Sequence, residues 1–458
     1  MSEAKVETRK LFGTDGIRGI AGQTPLDPKT IFAIGAALAH FLRSQSENPH
    51  VLLGADTRES SPSIAATITQ GLDSAGAKVH NAGVITTPGV AYLTRKHKFS
   101  AGIVISASHN PWQDNGIKVF ASDGYKLPDA VELTIEQEIS RQLENGSLPP
   151  ANALGQAPPS IDTKLVAEYE QYLIEAVAPL DLTGIRLVLD CANGASSAIA
   201  PDIFTKLGAT MIVTHASPTG RNINDNCGAL HPKIVAAETK AKNADIGITF
   251  DGDADRALFA DRHGNVVNGD AVLLLAARDL QTRGELAQNI VIATTMSNMG
   301  LEAALRRDKI RMLRAPVGDK YVLEWMREHK ASLGGEQSGH ILFPKLSTTG
   351  DGLLTALVVL DIVRRAGKPL HELLADLKVF PQVIVNIKVK EKRPLEEFVT
   401  VTDTIREAEA ELKENGRVVV RYSGTEALAR VMIEAESESA MQHHANRIAE
   451  AIRHELGA

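Results

Sequence analysis

Hydrophobic positions along this chain alternate between two periods. From Thr30 to Leu42 apolar residues recur every three or four positions, the stripe of an amphipathic helix. Val51 to Leu53 is a short continuous apolar run of the buried-strand kind, Ser63 to Ala75 returns to helical spacing, and Gly102 to Ser106 is again a strand. The cycle repeats with a helix at Lys164–Ala176, the strand IRLVLD at Ile185–Asp190, a helix–strand–helix stretch and the strand ADIGITF ending at Phe250. A third set starts with ALFAD after Arg256 and runs through helix Ala271–Leu280, strand Asn289–Ala293, helix Gly300–Arg307 and the apolar helix Leu353–Val363. Strands alternating with helices predict α/β units with largely parallel sheets. The segment GSLPPANALGQAPPS (146–160) holds four prolines and two glycines, so it predicts an exposed connection. From Phe380 the order becomes strand, long helix (Leu395–Lys413), two strands (Val418–Tyr422 and Ala429–Glu434) and a last helix, which predicts a smaller α+β unit. The expected units are 1–158, 159–257, 258–376 and 377–458.

Composition narrows the picture. With 458 residues, 43% of them hydrophobic and 23% charged, the chain exceeds one compact core and is too apolar for disorder. A net charge of -7 argues against a nucleic-acid or anionic-membrane surface, so any anionic ligand needs a local basic pocket. Cys191 and Cys227, the two cysteines, have neither CxxC spacing nor the density of a disulfide scaffold, which points to a reducing compartment. The start MSEAKVETRK lacks a signal-peptide apolar stretch, and no run of about 18 apolar residues occurs. The expected location is cytoplasmic.

Five segments carry candidate chemistry. DGDADR, Asp251 to Arg256, follows a strand and places three carboxylates in five residues. Converging in a turn they repel, a cost that a hard divalent cation removes; the same residues also read as a solvated acidic turn. The calcium-loop pattern fails because Arg256 stands at its sixth position and Arg262 at its twelfth, so magnesium fits better. ISASHNPWQDNGIKVF, Ile105 to Phe120, breaks from a strand into small polar residues, with Ser106, Ser108 and His109 where open α/β sheets bind ligands. It lacks a G-x-S-x-G elbow, and a plain structural turn is the alternative. RYSGTEALARVMIE, Arg421 to Glu434, sets guanidinium, hydroxyl and amide donors between two strands, either a phosphate cradle or an ordinary hairpin. LFGTDGIRG, Leu11 to Gly19, carries Arg18 without a dinucleotide fingerprint, and GGEQSGH, Gly334 to His340, offers a carboxylate, a hydroxyl and an imidazole.

Together and in this order, the five segments resemble the α-D-phosphohexomutase superfamily over nearly the whole chain. The resemblance implies an α/β fold of four domains around a central cleft, three similar α/β units and a C-terminal α+β phosphate-binding domain. It implies that Ser108 carries a transferable phosphoryl group and that Asp251, Asp253 and Asp255, with an oxygen from Ser108, hold one Mg2+. Arg18 and Arg256 correspond to groups that stabilise the phosphoryl in transit, and Lys118 and His340 to proton-transfer groups. Glu336 and Ser338 match the sugar-binding loop; Arg421, Ser423, Gly424, Thr425 and Arg430 match the phosphate loop. GTDGIRG, ISASHNP, Gln337 and the segment GRNINDNCGALHP (220–232) resemble the branch that isomerises glucosamine 6-phosphate and glucosamine 1-phosphate on the route to UDP-N-acetylglucosamine. That branch uses glucosamine 1,6-bisphosphate as intermediate and activator, and the neutral-hexose branch is its nearest rival. The resemblance also admits a homodimer. Ala427 stands where the phosphate loop usually has proline, Lys320 where arginine is usual, and CGALHP departs from CGSTHP.

Overall fold

Three sheets follow one plan. In the first, β1 (Ile17–Ile20), β2 (His50–Ala55), β3 (Lys78–Val84), β4 (Ala101–Ile105) and β5 (Asp114–Ala121) lie in the order β1-β5-β4-β2-β3. The β3, β2 and β4 strands are parallel, whereas β5 turns back antiparallel to β4. The second sheet repeats this with β6 (Arg186–Asp190), β7 (Thr210–Thr214), β8 (Ile246–Phe250), β9 (Ala257–Asp261) and β10 (Val266–Val267), in the order β10-β9-β8-β6-β7. The third, shorter version is β12-β11-β13-β14, from β11 (Ile290–Thr294), β12 (Arg311–Ala315), β13 (Gly334–Gly335) and β14 (Ile341–Leu342). The fourth sheet is an antiparallel β15-β17-β16 ladder of β15 (Gln382–Lys388), β16 (Gly416–Tyr422) and β17 (Leu428–Ala435). This computed structural model describes residues 10–144, 148–155, 157, 159–423 and 427–457.

The shared plan moves one element. ALFAD, expected to open the third unit, is β9 and pairs along its whole length with β8 in the second sheet. The six residues 251–256 form a hairpin loop, so the chain returns beside β8 before it leaves for the third sheet. The second sheet therefore runs to Val267, past the boundary expected at 257.

Local chemistry explains where the elements begin. Helix Pro28–Arg43 opens with proline in its first turn and with Asp27 accepting from the amides of Lys29 and Thr30, a cap that satisfies orphan donors. β4, β8 and β9 are apolar and fully buried, as strands covered by helices on both faces must be. Glu136, on helix Asp129–Glu144, accepts from the amides of Lys10, Leu11 and Phe12 and so pins the segment leading into the Leu11–Gly19 loop.

The second and third units share one apolar core, which also takes in a face of the first; the C-terminal unit has its own, around Val401, Val431, Ile448 and Ile452. A body with a separate core moves as a unit when its interface is small and polar. Here that interface is a polar latch: Glu434, held by Arg417 Nε on the neighbouring strand (2.7 Å), accepts from the Met299 amide (2.7 Å), Arg417 donates to the carbonyls of Thr295 (2.7 Å) and Ser297 (3.2 Å), and Asn298 and Phe380 exchange hydrogen bonds of 3.0 and 2.9 Å.

Both cysteines are free and fully buried, and burial followed by the Asp190 charge pushes each thiol up to about 12. Since the thiolate is the reactive form, a thiol reagent at pH 8 is expected to label neither cysteine of the folded chain and both in denaturant, counted by mass shift.

Candidate active site at the domain junction

The reactive loop leaves the end of β4, and Ser108 within it is 1% exposed. Two side chains from different units hold its backbone. Arg58 donates to the carbonyls of Ser108 (3.0 Å) and Asn110 (2.9 Å), and Asn224 donates to the same two at 2.9 and 3.0 Å. Arg58 is in turn paired with buried Asp56 (2.8 Å), which also accepts from Ser106 Oγ (2.6 Å); burial raises the Asp56 carboxyl against the pull of Arg58. This clamp holds Ser108 at a φ of 52°, a conformation non-glycine residues rarely adopt, and such strain persists only where surrounding contacts fix it. Across the junction Gly252 is obligatory, because a Cβ there would lie 2.5 Å from the Ser108 carbonyl oxygen. The result is direct contact: Ser108 Oγ donates to Asp251 Oδ2 at 2.5 Å.

Ligand oxygens of Asp251, Asp253 and Asp255 lie within 4.8 Å of one another, all three residues buried. Burial and the two neighbouring carboxylates push Asp251 far above the usual range. For Asp255 the cost of burial is outweighed by Lys118 and then His340, which hold its carboxyl far below that range. The Oδ1 atoms of Asp253 and Asp255 have no hydrogen-bond partner among the described residues. Unpartnered carboxylate oxygens converging beside a serine form the hard donor set that a divalent cation with oxygen ligands requires, so these residues fit a metal ion. Asp190, His215 and Cys227 form a second cluster, and they do not. Each Asp190 oxygen already accepts two hydrogen bonds, from Ala192 N and His215 Nδ1 and from Gly228 N and Thr249 Oγ1, which makes that carboxylate a knot tying the end of β6 to the CGALHP turn.

A cavity of about 410 Å³ opens beside the junction, lined by Arg18, His109, Asp255, Arg256, Glu336 and His340 among others. Arg18 Nε and Arg256 Nε, like Ser338 Oγ, are buried donors that make no hydrogen bond among the described residues, although Arg256 Nε lies 3.9 Å from Asp255. Unmet guanidinium donors beside a serine suit an incoming phosphate. Lys118 is 2% exposed and lies 2.8 Å from Asp253. His340 stands between two carboxylates, its Nδ1 3.6 Å from Asp255 and its Nε2 3.6 Å from Asp319; burial lowers its proton affinity, but Asp255, Asp319 and Glu336 prevail and lift it to about 9. Burial, then Arg256 and Arg18, depress His109 to about 4. The sugar-loop candidates rest on β9: a Cβ at Gly339, whose φ is 93°, would sit 2.4 Å from the Ala257 carbonyl oxygen.

The expected residues divide by position. Ser108, Arg18, Lys118, Arg256, His340, Glu336 and the three aspartates gather at this junction, while Ser338, between Glu336 and His340 in the chain, does not line the cavity. Arg421 and Arg430 stand on the C-terminal sheet and Ser423 directly follows β16; none of the three lines the cavity, and Gly424 and Thr425 lie outside the described residues. The 220–232 segment does not line it either: Asn224 serves the clamp and Gly228 the Asp190 knot. Sequence reasoning missed Asp56, Arg58 and Asn224. The available signal was the polar DTR placed directly after the β2 strand.

Four family models described as phosphoglucomutase/phosphomannomutase match in order: alpha/beta/alpha domain I over 9–146, domain II over 167–264, domain III over 268–380 and the C-terminal domain over 384–451. A phosphoglucosamine mutase of Koribacter versatilis is 60% identical over 454 residues, covering 98% of each chain. A phosphoglucomutase/phosphomannomutase family protein from Burkholderia thailandensis has a similar structure, with TM-score 0.77 and 24% identity over 98% of this chain and 99% of its own. The N-acetylphosphoglucosamine mutase of Aspergillus fumigatus, solved with GlcNAc-6P and magnesium, matches with TM-score 0.63 and 18% identity over 99% and 97% of the two chains.

Removing one partner of a buried ion pair strands the other. Arg58→Met is therefore expected to cost about 3–5 kcal/mol, measured as a lowered urea midpoint, while Arg221→Met, on a surface pair with Glu59, leaves the midpoint where it is.

Proposed function

The chain belongs to the phosphoglucosamine mutase branch of the phosphoglucomutase/phosphomannomutase family and is an isomerase, and on that footing we propose that it interconverts glucosamine 6-phosphate and glucosamine 1-phosphate through a phosphoserine at Ser108. The observation that carries this reading is the 2.5 Å contact of Ser108 Oγ with Asp251, flanked by the unmet Nε donors of Arg18 and Arg256. A phosphoryl group on Ser108 adds about -1.5 to -2 charge next to three carboxylates. Asp251, Asp253 and Asp255 would hold the magnesium ion that offsets it, and that ion, when bound, draws charge from the phosphoryl oxygens.

The remaining steps belong to the protein. In the first transfer the bond from phosphorus to Ser108 Oγ breaks and a bond to the free sugar hydroxyl oxygen forms, giving glucosamine 1,6-bisphosphate. The hydroxyl proton passes to a group on the protein, with Lys118 and His340 as the candidates. Arg18 and Arg256 direct their Nε–H donors at the phosphoryl in transit, stabilisation placed where charge develops. One serine serves both ends of the sugar, so the bisphosphate turns over before returning its other phosphoryl group to Ser108. Arg421, Ser423 and Arg430, outside the cavity in this structure, would reach the non-transferred phosphate when the C-terminal unit closes on its polar latch. Two free buried thiols are in keeping with a cytoplasmic setting.

The amino-sugar preference draws support from the lining of the cavity. Asp15, Asp255, Asp319 and Glu336 supply carboxylates there, and Glu336 spends one oxygen on the Gly318 amide (3.1 Å), leaving the other to face a 2-ammonium group.

Ser108→Ala is expected to abolish turnover, because the covalent acceptor is lost. Intact and peptide mass of the wild-type chain should show one phosphoryl group mapped to Ser108, and wild-type turnover by the alanine variant would end the phosphoserine reading. With a catalytic amount of the matching bisphosphate, glucosamine 6-phosphate should exceed glucose 6-phosphate in kcat/KM by about tenfold to a hundredfold, the effect of one unpaired polar group. Equal use of the two sugars would point to the neutral-hexose branch.

A further inference from the structure

Six charged side chains of alternating sign close a ring at the wall of the cavity. Lys118 Nζ lies 3.0 Å from Asp15 Oδ2, Asp15 Oδ1 2.6 Å from Lys126 Nζ, and Lys126 Nζ 2.6 Å from Asp319 Oδ2. Asp319 Oδ2 is 3.6 Å from His340 Nε2, His340 Nδ1 3.6 Å from Asp255 Oδ1, and Asp255 Oδ2 3.5 Å from Lys118 Nζ. Asp15 also holds Arg18. Of the six, Lys126 and Asp319 belong to none of the five motifs, and Lys126 does not line the cavity. It stands behind Asp15 and Asp319, joining the first unit to the third.

We propose that Lys126 is a positioning residue for phosphoryl transfer, acting through Asp15 and Asp319 to keep Lys118, Arg18 and His340 at their working distances from Ser108. One ammonium is shared by two carboxylates at 2.6 Å each, and the three side chains are only 19%, 23% and 15% exposed. Without that ammonium the two carboxylates repel each other, and water has little access to replace it. Each must then turn to its nearest remaining cation, Asp15 to Lys118 or Arg18 and Asp319 to His340. Either movement draws a group away from the Asp loop. A misplacement of about 1 Å in such a group costs about a hundredfold in rate.

A simple strap between domains would predict something else. Lys320 with Asp129, Arg327 stacked 3.9 Å over the Tyr125 ring, and Thr348 Oγ1 bonded to the Gly124 carbonyl (2.7 Å) already join the first and third units around Lys126. These contacts survive its substitution, so the domains stay docked and only the ring loses its charge.

The inference rests on the phosphoserine reading, and the experiment separates the two. Full-length chain, charged on Ser108 with bisphosphate, is mixed with saturating glucosamine 6-phosphate, and phosphoryl discharge is followed in a single turnover alongside steady-state kcat, KM and thermal midpoint. Lys126→Met is expected to lower the thermal midpoint, since two carboxylates are stranded, and, assayed well below that midpoint on folded chain, to slow discharge and kcat by about tenfold to a hundredfold. Lys126→Arg should restore both to within about threefold, and Asp319→Asn combined with Lys126→Met should lose far less than the product of the single losses, since both act on one unit. Discharge by Lys126→Met at the wild-type rate, a change in KM alone, or a double variant that multiplies the two losses would overturn the inference. Should Lys126→Met not fold, Lys126→Gln removes the same charge and is judged by the same outcomes. A wild-type chain with no phosphate on Ser108 would end the phosphoserine reading, and the steady-state kcat of the same variants would still decide the role of Lys126.

Discussion

Like charges confined in a buried place are the constraint around which this molecule is arranged. Three aspartates meet a serine at the seam between the first two units, all of them shielded from water. Burying one unpaired carboxylate is already costly. The solution is distributed over domains: Lys118 from the first unit, Arg256 from the loop itself, and His340 from the third each face the cluster. No single unit brings both the anions and enough cations to balance them, so the cluster is stable only where the units meet.

The topology explains why they meet there. The Ser108 loop joins β4 to β5, the aspartate loop joins β8 to β9, and the Glu336–His340 loop joins β13 to β14. Each is the turn at which a parallel sheet reverses into an antiparallel hairpin, so three copies of one structural position face a common space. Residue-level similarity among the three is too slight to show as a repeat, because each loop carries different side chains: a serine hydroxyl, three converging carboxylates, and a carboxylate, a hydroxyl and an imidazole.

What was legible in the sequence was local. Asp251, Asp253 and Asp255 occupy alternate positions after an apolar strand, so their convergence follows from the chain itself. The α/β alternation was legible for the same reason, whereas the residues around Ser108 read by themselves as a plain turn and only the order of the five segments singles that serine out. The Arg58 clamp spans 50 and 52 residues to its two carbonyls, the Asn224 clamp 116 and 114, and the Lys126–Asp319 pair 193. Periodicity carries no information across such separations. The same limit misplaced ALFAD: an apolar run fixes that a strand forms, not which neighbour it pairs with. It also hid the office of the 220–232 segment, whose Asn224 secures the backbone of a different unit.

The two-sided clamp on Ser108 has a consequence in time. Its first donor, Arg58, precedes the serine in the chain, but its second, Asn224, follows by 116 residues, and the Asp251 contact by 143. At a synthesis rate of about 5–20 residues per second the serine is made roughly 7–30 seconds before its partner aspartate. During that interval the emerging first unit can pair its sheet and fill its core, yet its reactive loop has only half of its supports and none of the carboxylates it will face. The supports of the Ser108 loop are thus complete only once the second sheet has been made.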